Sequence, residues 1–200
     1  MQIAIILKAP SIDCVVKEEN VIFADGAYRF LAQLGNKKVL AVVGDFDSLG
    51  RTPKGENIVS LEVEKNFTDG ERAVRLAKEY GADEITIYGA YGGKIEHILG
   101  NIALLKIAKD LNLSATIKDE NGCTKLISEK TTLKVKKDSV LSLIPYGGNC
   151  EFIKSENLYY PLDNLVLTPS DTRGISNVAK DENVVIEIKS GLSLAIYIEK

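Results

Sequence analysis

The feature that most limits how this chain can fold is a change of rhythm near residue 120. Before it, short β-branched or apolar runs recur at 3–7, 21–24, 39–43, 58–61, 85–88 and 115–118, the pattern of buried strands. Between them lie two stripes with helical spacing. Ala73, Val74, Ala77 and Tyr80 form a narrow one; Ile95, Ile98, Leu99, Ile102, Leu105 and Ile107 form a broader one, which predicts a deeply buried helix. Alternation of this kind predicts a mainly parallel sheet covered by helices, with ligands held at loops beyond the carboxyl ends of its strands. From Cys123 onward only short strand-like runs appear, at 123–128, 131–135, 140–145, 158–160, 184–188 and 192–198, punctuated by Gly147-Gly148-Asn149, Pro161, Pro169 and Ser190-Gly191. The predicted fold class is therefore α/β, with an N-terminal domain over 1–120 and a smaller all-β domain over 121–200.

Composition removes several classes of function. The chain has 200 residues, 45% of them hydrophobic, and a net charge of -3, enough for a core and with no basic stripe to bind nucleic acid. No apolar stretch approaches the roughly 18 residues of a spanning helix. The N-terminal MQIAIILKAP lacks a basic leader and a small-residue cleavage site, so it reads as a first strand rather than a signal peptide. Cys14, Cys123 and Cys150 are widely spaced with no C-x-x-C pair, as in a cytoplasmic protein with reduced thiols. With His97 the single histidine, any metal is expected to be a hard ion held by carboxylates.

Three segments carry chemistry. The 39–43 run leads into Gly44-Asp45-Phe46-Asp47-Ser48, where Asp45 and Asp47, alternate residues of an extended segment at the sheet's binding edge, can share one cation; Asp and Ser are equally the residues of an ordinary turn. Lys65-Asn66-Phe67-Thr68-Asp69-Gly70-Glu71 opens a helix. Thr68 and Glu71 have capping-box spacing, and Asp69 adds a carboxylate at a helix N-terminus suited to anions. Gly92, Gly93 and Lys94, in the loop before Glu96 and His97, offer a close backbone approach to phosphate and a positive charge, although the loop matches neither a P-loop nor a dinucleotide fingerprint. Gly100, inside the following helix, costs about 1 kcal/mol of helix stability, which predicts close packing there.

Taken together, GDFDS at 44–48, KNFTDGERAV at 65–74, GAYGGKIEHILGNIALL at 89–105, NLYYPL at 157–162 and GISN at 174–177 resemble the thiamine pyrophosphokinase family, as does Ala24-Asp25-Gly26. The resemblance implies an ATP-binding α/β domain, a C-terminal β-sandwich that binds thiamine, and a homodimer. It implies that Asp45, Asp47 and Asp69 handle Mg²⁺ and the reacting phosphates. Asp25, Ser48, Lys65, Thr68, Gly92, Gly93, Lys94, Glu96 and His97 would contact ATP. Ser176 and Asn177, with Asp69, would contact thiamine, although a turn between strands explains the Ser-Asn pair equally. Lys94 and Glu96 stand where the family usually has Arg and Asp, and lysine keeps the charge without the bidentate fork. A same-fold pyrophosphokinase for another hydroxymethyl substrate such as a pterin, or a catalytically weak thiamine or nucleotide sensor, are the alternatives.

Overall fold

The structure, a computed structural model, describes residues 1–44, 58–60 and 67–199. The chain divides into two compact units, Met1–Glu120 and Asn121–Lys200. The first contains β1 (Gln2–Ile6), β2 (Asn20–Ala24), a 3₁₀ turn (Asp25–Phe30) leading into α1 (Leu31–Leu34), β3 (Lys38–Gly44), β4 (Ile58–Ser60), α2 (Asp69–Glu79), β5 (Glu84–Tyr88), α3 (Ile95–Asp110) and β6 (Ser114–Asp119).

Its six strands pair in the order β6-β5-β1-β2-β3-β4, every pairing parallel. Register lines up Val42, Phe23, Ile6 and Tyr88 in one row. That row packs with Ile12, Val16, Ala27 and Phe30 from the β1–β2 connection and the 3₁₀ turn. The alternate row, Ala41, Ile22, Ile5 and Ile87, is fully buried. Pleating explains the division, since neighbouring side chains leave a strand on opposite faces. α2 packs on β1, β2 and β3, while α3 packs on α2 and β6.

No helix joins β1 to β2. The connection is tied down by side chains instead: Arg29 donates to the carbonyls of Ala9 and Pro10, Gln33 to that of Ile12 (2.7 Å) and Lys37 to that of Val16 (2.8 Å). Glu18 accepts from the hydroxyls of Thr86 and Tyr88. Burial, and then the Glu18 charge, push the Tyr88 phenol far above its ordinary range and keep it a donor.

The second unit holds two antiparallel sheets. One is β12 (Asn177–Val178), β9 (Val140–Pro145), β14 (Ser193–Tyr197) and β7 (Gly122–Ile127); the other is β11 (Val166–Leu167), β10 (Cys150–Glu156), β13 (Asn183–Ser190) and β8 (Thr131–Lys134). Leu141, Leu143, Ala195 and Tyr197 of the first sheet share one core with Phe152, Val184, Ile186 and Leu133 of the second. It is a sandwich. Residues 158–160 differ from the sequence expectation, forming only a bridge from Leu158 to Ala179. β10 fills a strand position that the sequence left without one. Among the described residues, no helix is long and apolar enough to cross a membrane.

Candidate active site

The strand order fixes where a ligand can enter the first unit. β2, β3 and β4 extend from one side of β1 and β5 and β6 from the other, so the order in which strands are added reverses between β1 and β5 while all of them stay parallel. Such a switch point leaves a crevice beyond the carboxyl ends of the strands. A cleft of about 770 Å³ lies there, lined by Lys8 from the end of β1, Asp25 from the end of β2, Thr68, Asp69 and Glu71 from the start of α2, and Glu96, His97, Gly100 and Asn101 from α3.

Close backbone contacts hold these ends in place. The Leu7 N–H donates to the Tyr88 carbonyl at 2.9 Å. Gly89, at φ +72°, passes so near that a Cβ there would lie 2.6 Å from the Leu7 carbonyl oxygen. Asp25 has φ +47°, a left-handed conformation that aspartate tolerates better than most residues. A Cβ on Gly44 would lie 3.0 Å from the Asp25 Cα, so the end of β3 runs directly against the Asp25 backbone. Lys8 Nζ stands 3.7 Å from Asp25 Oδ2.

At the start of α2, Thr68 Oγ1 accepts from the Glu71 N–H at 3.2 Å, half of the predicted capping box. The Glu71 carboxylate pairs with Arg75 at 2.8 Å. Gly70 brings the turn in close, since a Cβ there would meet Leu104 at 3.1 Å and Leu7 at 3.4 Å. Asp69 is thereby carried to the cleft as the first residue of a helix anchored on β1 and α3.

The glycine loop and α3 depart from expectation in two ways. Of the broad stripe assigned to a buried helix, Ile95 and Leu99 are 74% and 62% exposed. The residues α3 buries are Leu104, Leu105 and Ala108, because the helix packs through its second half. Gly100 is not closely packed either. An added Cβ would meet nothing within 4 Å, and the glycine borders the open cleft. Asn101 donates to the Ala90 carbonyl at 2.9 Å, fastening α3 to the loop. Gly92 and Gly93 both have positive φ; they and Lys94 do not line the cleft, whereas Glu96 and His97 do.

Ser176 and Asn177 belong to the second unit. Ser176 is exposed at φ +59°, its N–H donating to Ser142 Oγ at 3.0 Å. Asn177 is 3% exposed and its amide is committed to backbone: Oδ1 accepts from the N–H groups of Tyr160 and Val178, and Nδ2 donates to the Tyr160 carbonyl at 2.7 Å. This grip holds Tyr159 and Tyr160, exposed rings in edge-on contact with centroids 4.9 Å apart. In the same unit, the Asp171 carboxyl lies below the usual carboxylate range because it accepts from the Thr168 N–H, then from the Thr168 hydroxyl.

Of the residues singled out in the sequence, the structure gathers Asp25, Thr68, Asp69, Glu96 and His97 around one cleft. Asp45, Asp47, Ser48 and Lys65 lie outside the described residues. Lys8 was missed; its only sequence signal was to be the first charged residue after an apolar strand. Asp25 and Asp69 offer oxygen donors of the kind a hard divalent cation takes. Among the described residues, no group of three or more possible metal ligands is assembled.

Comparison with known proteins matches both units. Residues 13–117 fit the family model described as thiamin pyrophosphokinase, catalytic domain, and residues 130–193 fit thiamin pyrophosphokinase, vitamin B1 binding domain. A thiamine pyrophosphokinase of Bacillus subtilis (strain 168) is 30% identical over 142 residues, covering 67% of this chain and 66% of that protein, slightly less than two thirds of its length. A crystal structure of thiamine pyrophosphokinase from Bacillus subtilis superposes with a TM-score of 0.87 at 22% identity, covering 100% of both chains. One of thiamin pyrophosphokinase from Geobacillus thermodenitrificans gives 0.84 at 22% identity, covering 100% of this chain and 98% of that one.

Proposed function

Since the chain belongs to the thiamin pyrophosphokinase family, we propose that it transfers a pyrophosphoryl group from ATP to the hydroxyl of thiamine, giving thiamine diphosphate and AMP. The observation that carries this reading is the convergence of Asp25, Thr68, Asp69, Glu96 and His97 on a cleft at the switch point of a parallel sheet. In the reaction the thiamine hydroxyl oxygen bonds to the β-phosphorus, the bond from that phosphorus to the α,β-bridging oxygen breaks, and AMP departs with the bridging oxygen. Transfers of this type need in-line placement and charge neutralisation more than covalent help from protein.

Mg²⁺, held by Asp69 with Asp45 and Asp47, would supply part of that neutralisation on the phosphates. The chain's own groups do the rest. Asp69, which lines the cleft, would also accept the proton of the attacking hydroxyl. The start of α2 would turn the positive end of the helix dipole toward the phosphates. Gly92, Gly93, Lys94, Glu96 and His97, with Ser48 and Lys65, complete the nucleotide contacts. Residues 1–120 form the ATP-binding catalytic domain and 121–200 the thiamine-binding domain, with Ser176 reaching the acceptor and Asn177 shaping its surroundings through Tyr160. The protein acts in the cytoplasm as a homodimer.

The test is incubation with ATP, Mg²⁺ and thiamine, followed by separation of the nucleotides. AMP formed only when thiamine is present is the expected result. ADP in place of AMP sinks the pyrophosphoryl mechanism, and AMP formed only with a pterin alcohol sinks the acceptor.

A further inference from the structure

We infer that Lys8 is a phosphate-binding residue, gripping the polyphosphate of the nucleotide from the carboxyl end of β1. The inference rests on the proposed use of ATP in the same cleft. Position comes first: β1 is the strand at which the sheet's order reverses, and Lys8 follows its last residue by two positions, where a parallel sheet opens its ligand crevice.

Next comes anchorage. On one side of Lys8, the Leu7 N–H is bound to Tyr88 and the Leu7 carbonyl abuts Gly89. On the other, the Ala9 carbonyl accepts from Arg29, and Ala9 is 4% exposed. The backbone is held at both neighbours, yet the Lys8 side chain is 55% exposed. A lysine of this kind is a mobile point charge on a fixed base. Its separation of 3.7 Å from Asp25 exceeds ordinary hydrogen-bond length, so the ammonium can turn toward a stronger anion while Asp25 keeps it in the cleft.

Charge completes the case. Lys8 is the one lysine or arginine among the described residues lining the cleft, which Asp25, Asp69, Glu71 and Glu96 also line, Glu71 being paired with Arg75. A triphosphate entering so acidic a surface needs a counter-charge from the protein. Lys94, the cation offered by the glycine motif, is not part of that lining.

The experiment uses the full-length protein and calorimetric titration with α,β-methylene ATP, whose α–β link cannot be cleaved, and with adenosine. Lys8→Gln should weaken the triphosphate analogue about 10- to 100-fold, the range of a hydrogen bond to a charged group. It should leave adenosine affinity unchanged and flatten the salt dependence of triphosphate binding. Lys8→Arg should recover most of the loss. Lys8→Met, which keeps the aliphatic stem, serves if the glutamine variant is unstable. Unchanged triphosphate affinity overturns the inference, and so does equal weakening of adenosine, which marks a brace for Asp25 rather than a phosphate contact. Thiamine is absent from these titrations. Wild-type protein that binds the analogue but makes no AMP with thiamine would therefore count against the acceptor alone.

Discussion

Two glycines near the cleft show how much a single methyl group can mean at the scale of one residue. Gly89 has φ +72° and faces the Leu7 carbonyl. Gly89→Ala should cost about 2–4 kcal/mol from clash and backbone strain together, read by urea denaturation. Gly100 lies in a helix with open space before it, so Gly100→Ala should gain about 1 kcal/mol while crowding the cleft; unchanged stability would contradict this account. Asp171 makes a pH prediction. Its folded pKa is lowered, first by the Thr168 N–H and then by the Thr168 hydroxyl, so the stabilisation is present above the unfolded carboxylate value of about 3.9 and is lost as pH falls through the lower folded value. The melting-temperature gap between wild type and Asp171→Asn should therefore be full at pH 7 and close toward pH 2. Asp25, Thr68, Asp69, Glu96 and His97 were legible because motif and order identify them. Lys8 was not, because a lysine ending an apolar run has no meaning until strand order is known.

Among the elements, all six strands of the first unit and both long helices announced themselves through periodicity. The failures have local causes. β10 reads Cys150–Glu156 and buries only Cys150 and Phe152, while Ile153 is exposed and Lys154-Ser155-Glu156 is polar, so too few apolar residues alternate to announce a strand. α3 is apolar around its circumference, and sequence alone could not say that only its second half is covered. The start of α2 shows a motif partly realised. Thr68→Ala should cost about 1 kcal/mol through loss of the cap. Glu71→Ala should cost at most about 0.5 kcal/mol, because its carboxylate reaches the exposed Arg75 rather than back to the cap. Equal losses in the two denaturation midpoints would restore the full capping box.

For the whole molecule, the proposed homodimer predicts a mass of twice the 21.8 kDa chain in light scattering, unchanged over micromolar dilution; a monomer would remove the assembly from the proposal. The order of the first sheet carries a further consequence, one of timing. β1 pairs with β2 and with β5, and its partner across the second edge is distant: Gln2 lies beside Glu84. On a ribosome adding about 5–20 residues per second, that edge stays bare for about 4–16 s after β1 is made. During that interval an apolar strand of sequence QIAII has only half its neighbours, and the switch-point cleft does not yet exist. A nascent chain halted before β5 should therefore stick to itself and to chaperones, while one that has extruded Tyr88 should not.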